Sequence, residues 1–349
     1  MMMSDKNLKP VIIWLYLGVF LIVLMVLAGG AVRLTDSGLS IVKWDPVTGI
    51  IPPLNDSEWE KEFNDYQKIP EFQIENKNFS LGDFKKIYLW EYFHRLIARL
   101  IGFIFLIPFL IFWIKGYFKQ RNLLFKTFLI FLFASFQAWL GWFMVRSGFS
   151  ERTDVSHYRL AIHLIFATLL ASYVLWLAMS MTFEKKDVPA HRGLTLWTAV
   201  ALIMISFQLV YGAFTAGLNA GYYYTQYPKM GGEWIPSQSI NALDEYGFIS
   251  LISDPGMVHF IHRWFAILVL IYILIFYFRF RNMLKTSLID LPLRLTLYTV
   301  ILQVLLGILT VLTKINIVIA LLHQVNGIML FLCFVSILFF SFHNSEKKH

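Results

Sequence analysis

The sequence predicts an all-α polytopic membrane protein in which eight transmembrane helices form two pseudo-symmetric four-helix bundles. Three observations predict this fold: the composition, the length of the apolar segments, and an internal repeat. The chain of 349 residues is 58% hydrophobic and only 15% charged, whereas about a quarter of the residues in soluble domains are charged. A chain of this composition is expected in lipid.

The first apolar segment, residues 11–32, contains no charged side chain. About 20 apolar residues are enough for a helix to cross the hydrocarbon core of a bilayer. A cleavable signal peptide has a shorter apolar region, of roughly 7–15 residues. We therefore expect this segment to remain as the first transmembrane helix. Hydropathy predicts seven further transmembrane helices, at residues 87–114, 127–145, 159–182, 193–214, 257–278, 294–313 and 315–342.

The charged residues predict how these helices are oriented. With both termini inside, the cytoplasmic segments are strongly basic, as the positive-inside rule requires, and most carboxylates lie on the opposite face. The cytoplasmic basic residues are Lys6, Lys9, Lys115, Lys119, Arg121, Lys126, Lys185, Lys186, Arg192, Arg279, Arg281, Lys285, Lys347 and Lys348. The cytoplasmic acids are Asp5, Glu184, Asp187, Asp290 and Glu346. Topology therefore explains the net charge of +8, and no basic module in the sequence predicts nucleic-acid binding.

The long first outer loop, residues 33–86, is predicted to contain a short helix. Ser57 and Glu60 have the spacing of a capping box, which marks a helix start. Trp59, Phe63 and Tyr66 would then share one face of that helix. This aromatic face could rest on the membrane surface, cover the bundle, or pack on neighbouring parts of the protein.

The two halves of the chain repeat in order, which indicates that a four-helix unit has been duplicated. Residues 30–35 resemble residues 212–217, residues 91–95 correspond to residues 259–263, residues 137–141 correspond to residues 303–307, and His163 falls opposite His323. We predict an N-terminal half at residues 1–182 and a C-terminal half at residues 183–349.

Four histidines in the repeat are the candidate metal ligands. His94, His163, His262 and His323 lie on the second and fourth helices of each half, and ionisable side chains within a membrane span usually have a function. Each is roughly 5–8 residues from its predicted helix start, or roughly 8–12 Å deep at 1.5 Å per residue. Two facing imidazoles in a four-helix bundle can ligate a heme iron. A lone membrane histidine is often only a packing residue, but the repetition favours two heme sites.

Other polar residues near the histidines leave alternatives open. A zinc or di-iron site would need further ligands, and Glu91 is the one carboxylate available. His157 and His259 lie nearer the outer ends of their helices and could be secondary or interfacial residues. Arg95 and Arg263 follow the paired histidines, so they could bind heme propionates, or instead reach the interface or pair within the helix.

Several motifs resemble the heme A synthase family. They are GGAVRLTDSGLS at residues 29–40, WDPVTGIIPPL at 44–54, WEYFHR at 90–95, YRLAIHL at 158–164, AGLNAG at 216–221 and LHQ at 322–324. They occur in family order along most of the chain. The single cysteine, Cys333, lies in the last apolar segment, so the resemblance is to the branch without cysteine pairs in its outer loops.

The resemblance implies that heme O is oxidised at a ring methyl, through a hydroxylated intermediate, to the formyl group of heme A for terminal oxidases. It also implies that His94 and His163 ligate the substrate heme and that His262 and His323 ligate a resident heme b. Glu91 is the family's candidate catalytic acid, and its place three residues before His94 puts both on one helix face. A stabilising acid in the first turn of a helix is the alternative interpretation of Glu91.

Two other functions are compatible with the same residues. A di-heme cytochrome b could use the same ligand pairs only to transfer electrons, for example from quinol. A transporter built from repeats would need helices broken at mid-membrane, and the sequence shows no sign of them. We expect the protein to be surrounded by membrane lipid and to receive its heme from heme O synthase. The sequence does not identify the electron acceptor, and a homo-oligomer is compatible with it. Because no basic, Ser-rich transit peptide precedes the first helix, we expect a bacterial inner membrane.

The topology is tested with reporter fusions. Fusions at Lys119, Lys186 and Asn282 should report a cytoplasmic location, and fusions at Asn64 and Glu233 an external one, because the positive-inside rule places the basic loops inside. The reverse pattern would put the histidines at the wrong membrane face.

Overall fold

The computed structural model describes residues 7–44, 49–119, 122–149, 153–183, 192–285 and 288–342. Part of the WDPVTGIIPPL motif, residues 45–48, lies outside these ranges. So do several charges of the topology prediction: Asp5, Lys6, Arg121, Glu184, Lys185, Lys186, Asp187, Glu346, Lys347 and Lys348.

The described residues fold into α-helices and connecting loops, without a β-strand. The first six helices are α1 (Lys9–Leu34), α2 (Asp56–Tyr66), α3 (Pro70–Ile74), α4 (Leu81–Ile114), α5 (Leu123–Val145) and α6 (His157–Thr182). The others are α7 (Arg192–Gly217), α8 (Ala220–Tyr223), α9 (Ser237–Tyr246), α10 (Ser250–Ser253), α11 (Pro255–Leu284), α12 (Asp290–Leu312) and α13 (Ile317–Phe342). Short 3₁₀ turns lie at Tyr117–Lys119, Arg146–Gly148 and Gly247–Ile249.

Eight of these helices are long and apolar enough to cross a membrane, and they match the eight predicted segments. They are α1, α4, α5, α6, α7, α11, α12 and α13. The two largest differences are six residues each: α11 ends at Leu284, after the predicted residue 278, and α4 begins at Leu81, before the predicted residue 87. Ser80 and Asp83 form a reciprocal capping box there, in which the Ser80 hydroxyl accepts from the Asp83 amide and the Asp83 carboxylate accepts from the Ser80 amide. The prediction of a polytopic, all-α protein is confirmed.

The predicted outer-loop helix exists as α2, but the predicted cap was wrong. Asn55, not Ser57, caps the helix: its side-chain oxygen accepts from the Glu58 amide at 2.9 Å. The Glu58 carboxylate in turn accepts from the Asn55 side-chain amide at 2.9 Å and from the Leu54 backbone amide at 2.8 Å. An asparagine is as good an N-cap as a serine, both have an acidic residue three positions later, and the bonds form between Asn55 and Glu58.

The aromatic face of α2 packs on the start of α4. Trp59 lies edge-on to Tyr88, with ring centroids 5.0 Å apart. Phe63 and Tyr66 each lie 5.2 Å from the ring of Phe84, and Phe84 is fully buried. Aromatic pairs at these distances stabilise packing beyond the area they bury. Of the three interpretations left open by the sequence, packing on neighbouring parts of the protein is therefore the one observed.

The described chain forms two compact units. One comprises residues 24–167, and the other comprises the N-terminal residues up to Val23 together with the chain from Thr168 onward. In the second unit α7 packs on α11, α11 on α12, α12 on α13, and α13 on α7. These contacts close a ring of four helices, as in a four-helix bundle. The division into halves at residue 182 stays a prediction.

The outer loop also buries a carboxyl group. Glu71 on α3 is only 5% exposed, and its Oε2 has no hydrogen-bond partner among the described residues. Burial raises the pKa of Glu71 to about 8, partly offset by a hydrogen bond with Tyr66. Tyr66 itself is fully buried and accepts from the Asn76 amide at 2.8 Å. Glu71 is therefore protonated at neutral pH, as expected of a carboxyl group that loses its water.

Glu71 should make the outer loop less stable at alkaline pH. Its pKa is higher in the folded protein than the usual 4.5, so the folded state binds more protons and stability falls as the pH rises from about 4.5 to about 8. Glu71→Gln should remove this loss, on the order of 2–4 kcal/mol. Thermal unfolding of the detergent-purified protein at pH 6 and pH 9 measures it. Glu60→Gln, at an exposed carboxylate of α2, is the control and should keep the wild-type pH dependence.

Candidate functional site

The C-terminal pair of histidines has the separation that one iron requires. His262 on α11 and His323 on α13 have ring centroids 6.4 Å apart and rings at 87° to each other. A metal–imidazole bond is about 2.0–2.1 Å long, and each ring nitrogen lies about 1 Å from the centre of its ring. The centres of two imidazole rings on opposite sides of one metal are therefore about 6 Å apart. The donor set and its spacing therefore fit a heme iron with two axial histidines.

The hydrogen bond at His323 also fits metal binding. Its Nδ1 lies 3.1 Å from the backbone carbonyl of Gln303, and an imidazole donates there only when its proton is on Nδ1. The lone pair is then on Nε2, the nitrogen left to bind a metal. Histidines that ligate metals typically donate their other N–H to a backbone carbonyl or a carboxylate in this way.

Each of the four histidines packs against a glycine on the preceding transmembrane helix. A Cβ on Gly141 would lie 3.2 Å from Cε1 of His163, on Gly212 3.1 Å from Cε1 of His262, and on Gly307 2.9 Å from Cε1 of His323. On Gly29 it would lie 3.3 Å from Nε2 of His94. Contacts under 3.4 Å leave little room for a larger residue. Glycine is used here because the ring lies against the helix backbone.

Three of these histidines also contact a glutamine one turn before the glycine. Gln137 Nε2 lies 3.3 Å from a ring nitrogen of His163 and donates to the His163 carbonyl at 3.1 Å. Gln208 Nε2 lies 3.0 Å from Nδ1 of His262 and donates to the His262 carbonyl at 2.9 Å. Gln303 Nε2 lies 3.4 Å from Nε2 of His323. On His163 and His323 the glutamine thus reaches Nε2, whereas on His262 it reaches Nδ1 and leaves Nε2 to bind a metal.

The N-terminal pair, His94 on α4 and His163 on α6, lies within the unit of residues 24–167. His163, His262 and His323 lie six or seven residues after their helix starts, as predicted. The prediction for His94 was wrong, because α4 begins at Leu81 and His94 is 13 residues further on. The helix starts in the outer loop, so distance from its first residue does not measure depth in the membrane.

Glu91 is buried and holds the outer loop to α4. It is 3% exposed. Its Oε2 accepts from the Ser40 hydroxyl at 2.7 Å and the Ile41 amide at 2.8 Å, and its Oε1 accepts from Arg95 at 2.6 Å. Since α4 begins ten residues earlier, the alternative of a first-turn acid beside the helix dipole was wrong. A hydrogen bond from an arginine guanidinium is stronger than one between neutral groups.

His259 occupies the matching place in the C-terminal half. Its Nδ1 donates to the Ala220 carbonyl at 3.1 Å, and its Nε2 accepts from Arg263 Nε at 2.9 Å. Both ring nitrogens are thereby engaged, so His259 anchors the loop and has no nitrogen left for a metal. His157, at the start of α6, is buried and lies against the ring of Tyr158 at 3.8 Å.

Arg95 and Arg263 bind the backbone of their outer loops in the same pattern. Arg95 donates to the carbonyls of Ile41 at 2.9 Å and Lys43 at 3.1 Å. Arg263 donates to the carbonyls of Tyr224 and Gln226, at 2.5 and 2.7 Å. In each half the acceptors are two residues apart. The role of Arg95 and Arg263 as propionate partners stays a prediction, and what the structure shows is their hold on the loop.

The structure aligns α1 with α7 one residue differently from the alignment that the sequence repeat predicted. Gly29, not Gly30, takes the place of Gly212, 183 residues later. The same separation relates Asp36 to Asn219, which both have positive φ, of 45° and 53°. It also relates Ile41 and Lys43 to Tyr224 and Gln226 as acceptors of the arginines. The sequence alignment missed this because consecutive glycines, Gly29 and Gly30, match Gly212 equally well.

The comparison with protein families agrees with this geometry. The model of the COX15-CtaA family, described as cytochrome oxidase assembly protein, matches residues 12–335. The chain belongs to the COX15-CtaA family.

Curated COX15-CtaA relatives match most of the chain. A heme A synthase of Flavobacterium johnsoniae is 37% identical over 345 residues, which are 98% of this chain and 99% of the relative. A heme A synthase of Rhodospirillum centenum is 41% identical, covering 76% of this chain and 71% of its own length. One of Wolbachia pipientis is 37% identical, covering 93% of this chain and 95% of its own.

Sequence reasoning about this COX15-CtaA chain missed the residues that orient the histidines. The motif Gln-x-x-x-Gly occurs at residues 137–141, 208–212 and 303–307, on the helix before each of three candidate ligands. That spacing puts the two side chains on one helix face. The repetition could have been found in the sequence, but which ring each face contacts depends on the packing of the helices. Ser40, which binds Glu91, was missed because it is 51 residues away in sequence.

Gly307→Ala should disturb the C-terminal pair. The added methyl would lie 2.9 Å from Cε1 of His323, closer than carbon atoms can pack, so the imidazole must move. We expect a several-fold loss of hemin bound by this pair, measured by absorbance of the purified protein, with unchanged membrane insertion. Gly102→Ala on α4, where no atom lies within 4 Å of the added methyl, is the control. Equal hemin binding in both variants would show that the glycine contact does not position His323.

Proposed function

We propose that this protein is a heme A synthase. It oxidises a ring methyl of heme O to the formyl group of heme A, through a hydroxylated intermediate, and so supplies terminal oxidases. The observation that carries the proposal is the match to a heme A synthase of Flavobacterium johnsoniae over 98% of this chain and 99% of that relative. The two histidine pairs support it, because the reaction needs a protein that binds heme.

The C-terminal pair is the site of a resident heme b. The 6.4 Å separation of His262 and His323 suits an iron with two axial imidazoles, and the hydrogen bond from His323 to the Gln303 carbonyl leaves Nε2 unprotonated. A heme held by this pair would transfer electrons. His94 and His163 bind the substrate heme O in the N-terminal half.

Glu91 is the acid–base group at the substrate heme. It lies three residues before His94 on α4, so both side chains project from the same helix face. Oxidation of a methyl group releases protons, and the Glu91 carboxylate, which accepts hydrogen bonds from Arg95 and Ser40, is positioned to accept one. In the other half His259 stands at this position with both nitrogens engaged. The asymmetry assigns the reaction to the N-terminal half.

The surroundings and partners follow from this assignment. The protein is placed in a bacterial inner membrane with both termini in the cytoplasm, as its charge distribution favours. Heme O synthase supplies the substrate, and a membrane electron carrier of unknown identity accepts the electrons. Arg95 and Arg263, at the outer ends of the pairs, are candidate partners for heme propionates. A homo-oligomer is compatible with this arrangement.

Glu91→Gln tests the assignment. It keeps the shape of the side chain and removes its charge, so heme binding should persist while heme A formation falls by roughly 10²–10⁴-fold, the usual contribution of a positioned acid–base group. Each variant is expressed with heme O synthase, and hemes O, hydroxylated O and A are extracted and quantified by chromatography.

The matched control is His259→Gln, at the corresponding position of the other half, which should change heme A formation far less. If Glu91→Gln makes heme A at the normal rate and His259→Gln does not, the two halves have been assigned the wrong way round. If wild-type protein leaves all its hemes unmodified, it is a di-heme cytochrome b that only transfers electrons.

A further inference from the structure

The outer loop holds a buried carboxyl group that the proposed reaction does not yet use. Glu71 on α3 is 5% exposed, and its Oε2 has no hydrogen-bond partner among the described residues. Its carboxyl group also contacts Tyr66, whose hydroxyl accepts from the Asn76 amide at 2.8 Å and directs its own proton at Glu71. A buried polar atom without a partner costs free energy, so in a native protein it indicates a functional group or an ordered water.

Glu71 lies beside the part of α4 that carries Glu91. Tyr66, which contacts Glu71, packs in one buried cluster with Leu39 of the outer loop and Tyr88 of α4. Tyr88 is three residues before Glu91 on the helix, and the residue after Leu39 donates a hydrogen bond to Glu91. The two buried carboxyl groups therefore border the same cluster of side chains.

A third carboxyl group connects this pair with the surface. The charges of Glu91 and of Asp36, in the loop after α1, both act on Glu71. The Asp36 side chain is 68% exposed and pairs with Arg33 at 2.7 Å, whereas Glu91 is 3% exposed. Glu71 thus has one carboxyl neighbour in the interior and another at the outer surface.

The C-terminal half has different side chains at two of these positions. His259 stands at the place of Glu91, and Asn219 stands at the place of Asp36. Asp36 and Asn219 both have positive φ, of 45° and 53°, so the backbone there accepts either side chain. The fold does not require an acid at these two places, and at both of them the acid occurs in the N-terminal half.

We propose that Glu71 relays protons from Glu91 to the outer surface through Asp36. The inference rests on the proposed function, in which Glu91 accepts a proton from the substrate methyl. Glu71 first gives its own proton to Asp36, which passes it to bulk water. The proton on Glu91 then moves to Oε2 of Glu71 across an ordered water of the kind that satisfies buried polar groups. The electrons go to the membrane electron carrier, so only protons move along the carboxyl groups.

The pKa of Glu71 suits such a relay. Burial raises it to about 8, the hydrogen bond from Tyr66 lowers it, and the charges of Glu75, Glu91 and Asp36 raise it. A group whose pKa lies near the working pH both takes up and releases a proton readily. A carboxyl group with the usual pKa of 4.5 would be ionised at neutral pH and would hold a proton only briefly.

Infrared spectroscopy tests the link between the carboxyl groups without relying on activity. In the purified full-length protein, one band of a protonated carboxyl group should disappear with a midpoint near pH 8, and Glu71→Gln should lack this band. Glu91→Gln should lower the midpoint, because the charge of Glu91 raises the pKa of Glu71. Glu60→Gln, the same change at an exposed carboxylate of α2, is the control and should leave the midpoint unchanged.

Heme A formation tests the relay itself. Each variant is expressed with heme O synthase, and heme A is quantified from cells held at an outer pH of 6, 7 or 8. Wild-type formation should rise with the outer pH, because an ionised Glu71 accepts a proton more readily. Glu71→Gln should lose this rise and form several-fold less heme A. Its loss should be smaller than the roughly 10²–10⁴-fold loss expected of Glu91→Gln, because Glu91 still takes the first proton.

Two further variants separate a relay from a structural role. Glu71→Asp keeps an ionisable group, so it should form more heme A than Glu71→Gln and keep the rise with pH. A residue needed only for packing would tolerate the glutamine, which matches its length, better than the shorter aspartate. Asp36→Asn introduces the side chain that its counterpart Asn219 has. It should lower heme A formation while the protein binds as much hemin as wild type.

The proposal is overturned if Glu71→Gln forms heme A at the wild-type rate at every pH, or if Glu71→Asp forms less than Glu71→Gln. It is also overturned if Glu91→Gln leaves the infrared midpoint unchanged, or if Glu71→Gln loses its bound hemin, which would show a structural role. Normal heme A formation by Asp36→Asn would refute the exit through that residue. If wild-type protein forms no heme A, it is the proposed function that fails, whereas an active Glu71→Gln refutes the relay alone.

Discussion

The rest of the site depends on one constraint: an imidazole within an apolar helix bundle must be held in one orientation before it can serve as an axial ligand. The protein meets it with a repeated contact, in which the ring lies against a glycine of the preceding helix. In three of four cases a glutamine one turn earlier touches a ring nitrogen. Glycine permits the close approach of the ring to the helix backbone, and the glutamine lies beside the ring edge.

The same helices also anchor the outer loops, through the position three residues before the histidine. Glu91 binds Ser40 and Ile41, and His259 binds Ala220, while an arginine one turn later clamps two loop carbonyls in each half. Two side chains of different chemistry thus do one structural task. This shared task explains why duplication could leave a carboxylate in one half and an imidazole in the other without loss of the fold. The carboxylate adds an acid–base group near the candidate ligand, whereas both nitrogens of the imidazole are engaged.

Much of this arrangement could be predicted from the sequence, and the wrong predictions concern single helix ends. The eight spans, the loop helix and the four repeated histidines follow from apolar length, capping residues and internal similarity. The cap of the loop helix was misplaced because Asn55 and Ser57 are both good N-caps, and only the reach of Glu58 selects the first. The start of α4 was misplaced because the helix continues above its apolar segment, where hydropathy carries no signal.

The sequence by itself determined the membrane fold, the duplication and the identity of the candidate ligands, because composition and repetition are properties of the chain and require no knowledge of distance. Only the tertiary structure decided which side chains meet. It brought His262 and His323 to 6.4 Å, joined Ser40 to Glu91 across 51 positions, and engaged both nitrogens of His259. It also placed Gly29, and not the adjacent Gly30, against the ring of His94, which sets the repeat register of α1. Hydrogen bonds and ring contacts act over a few ångströms, and only helix packing sets such distances between residues remote in sequence.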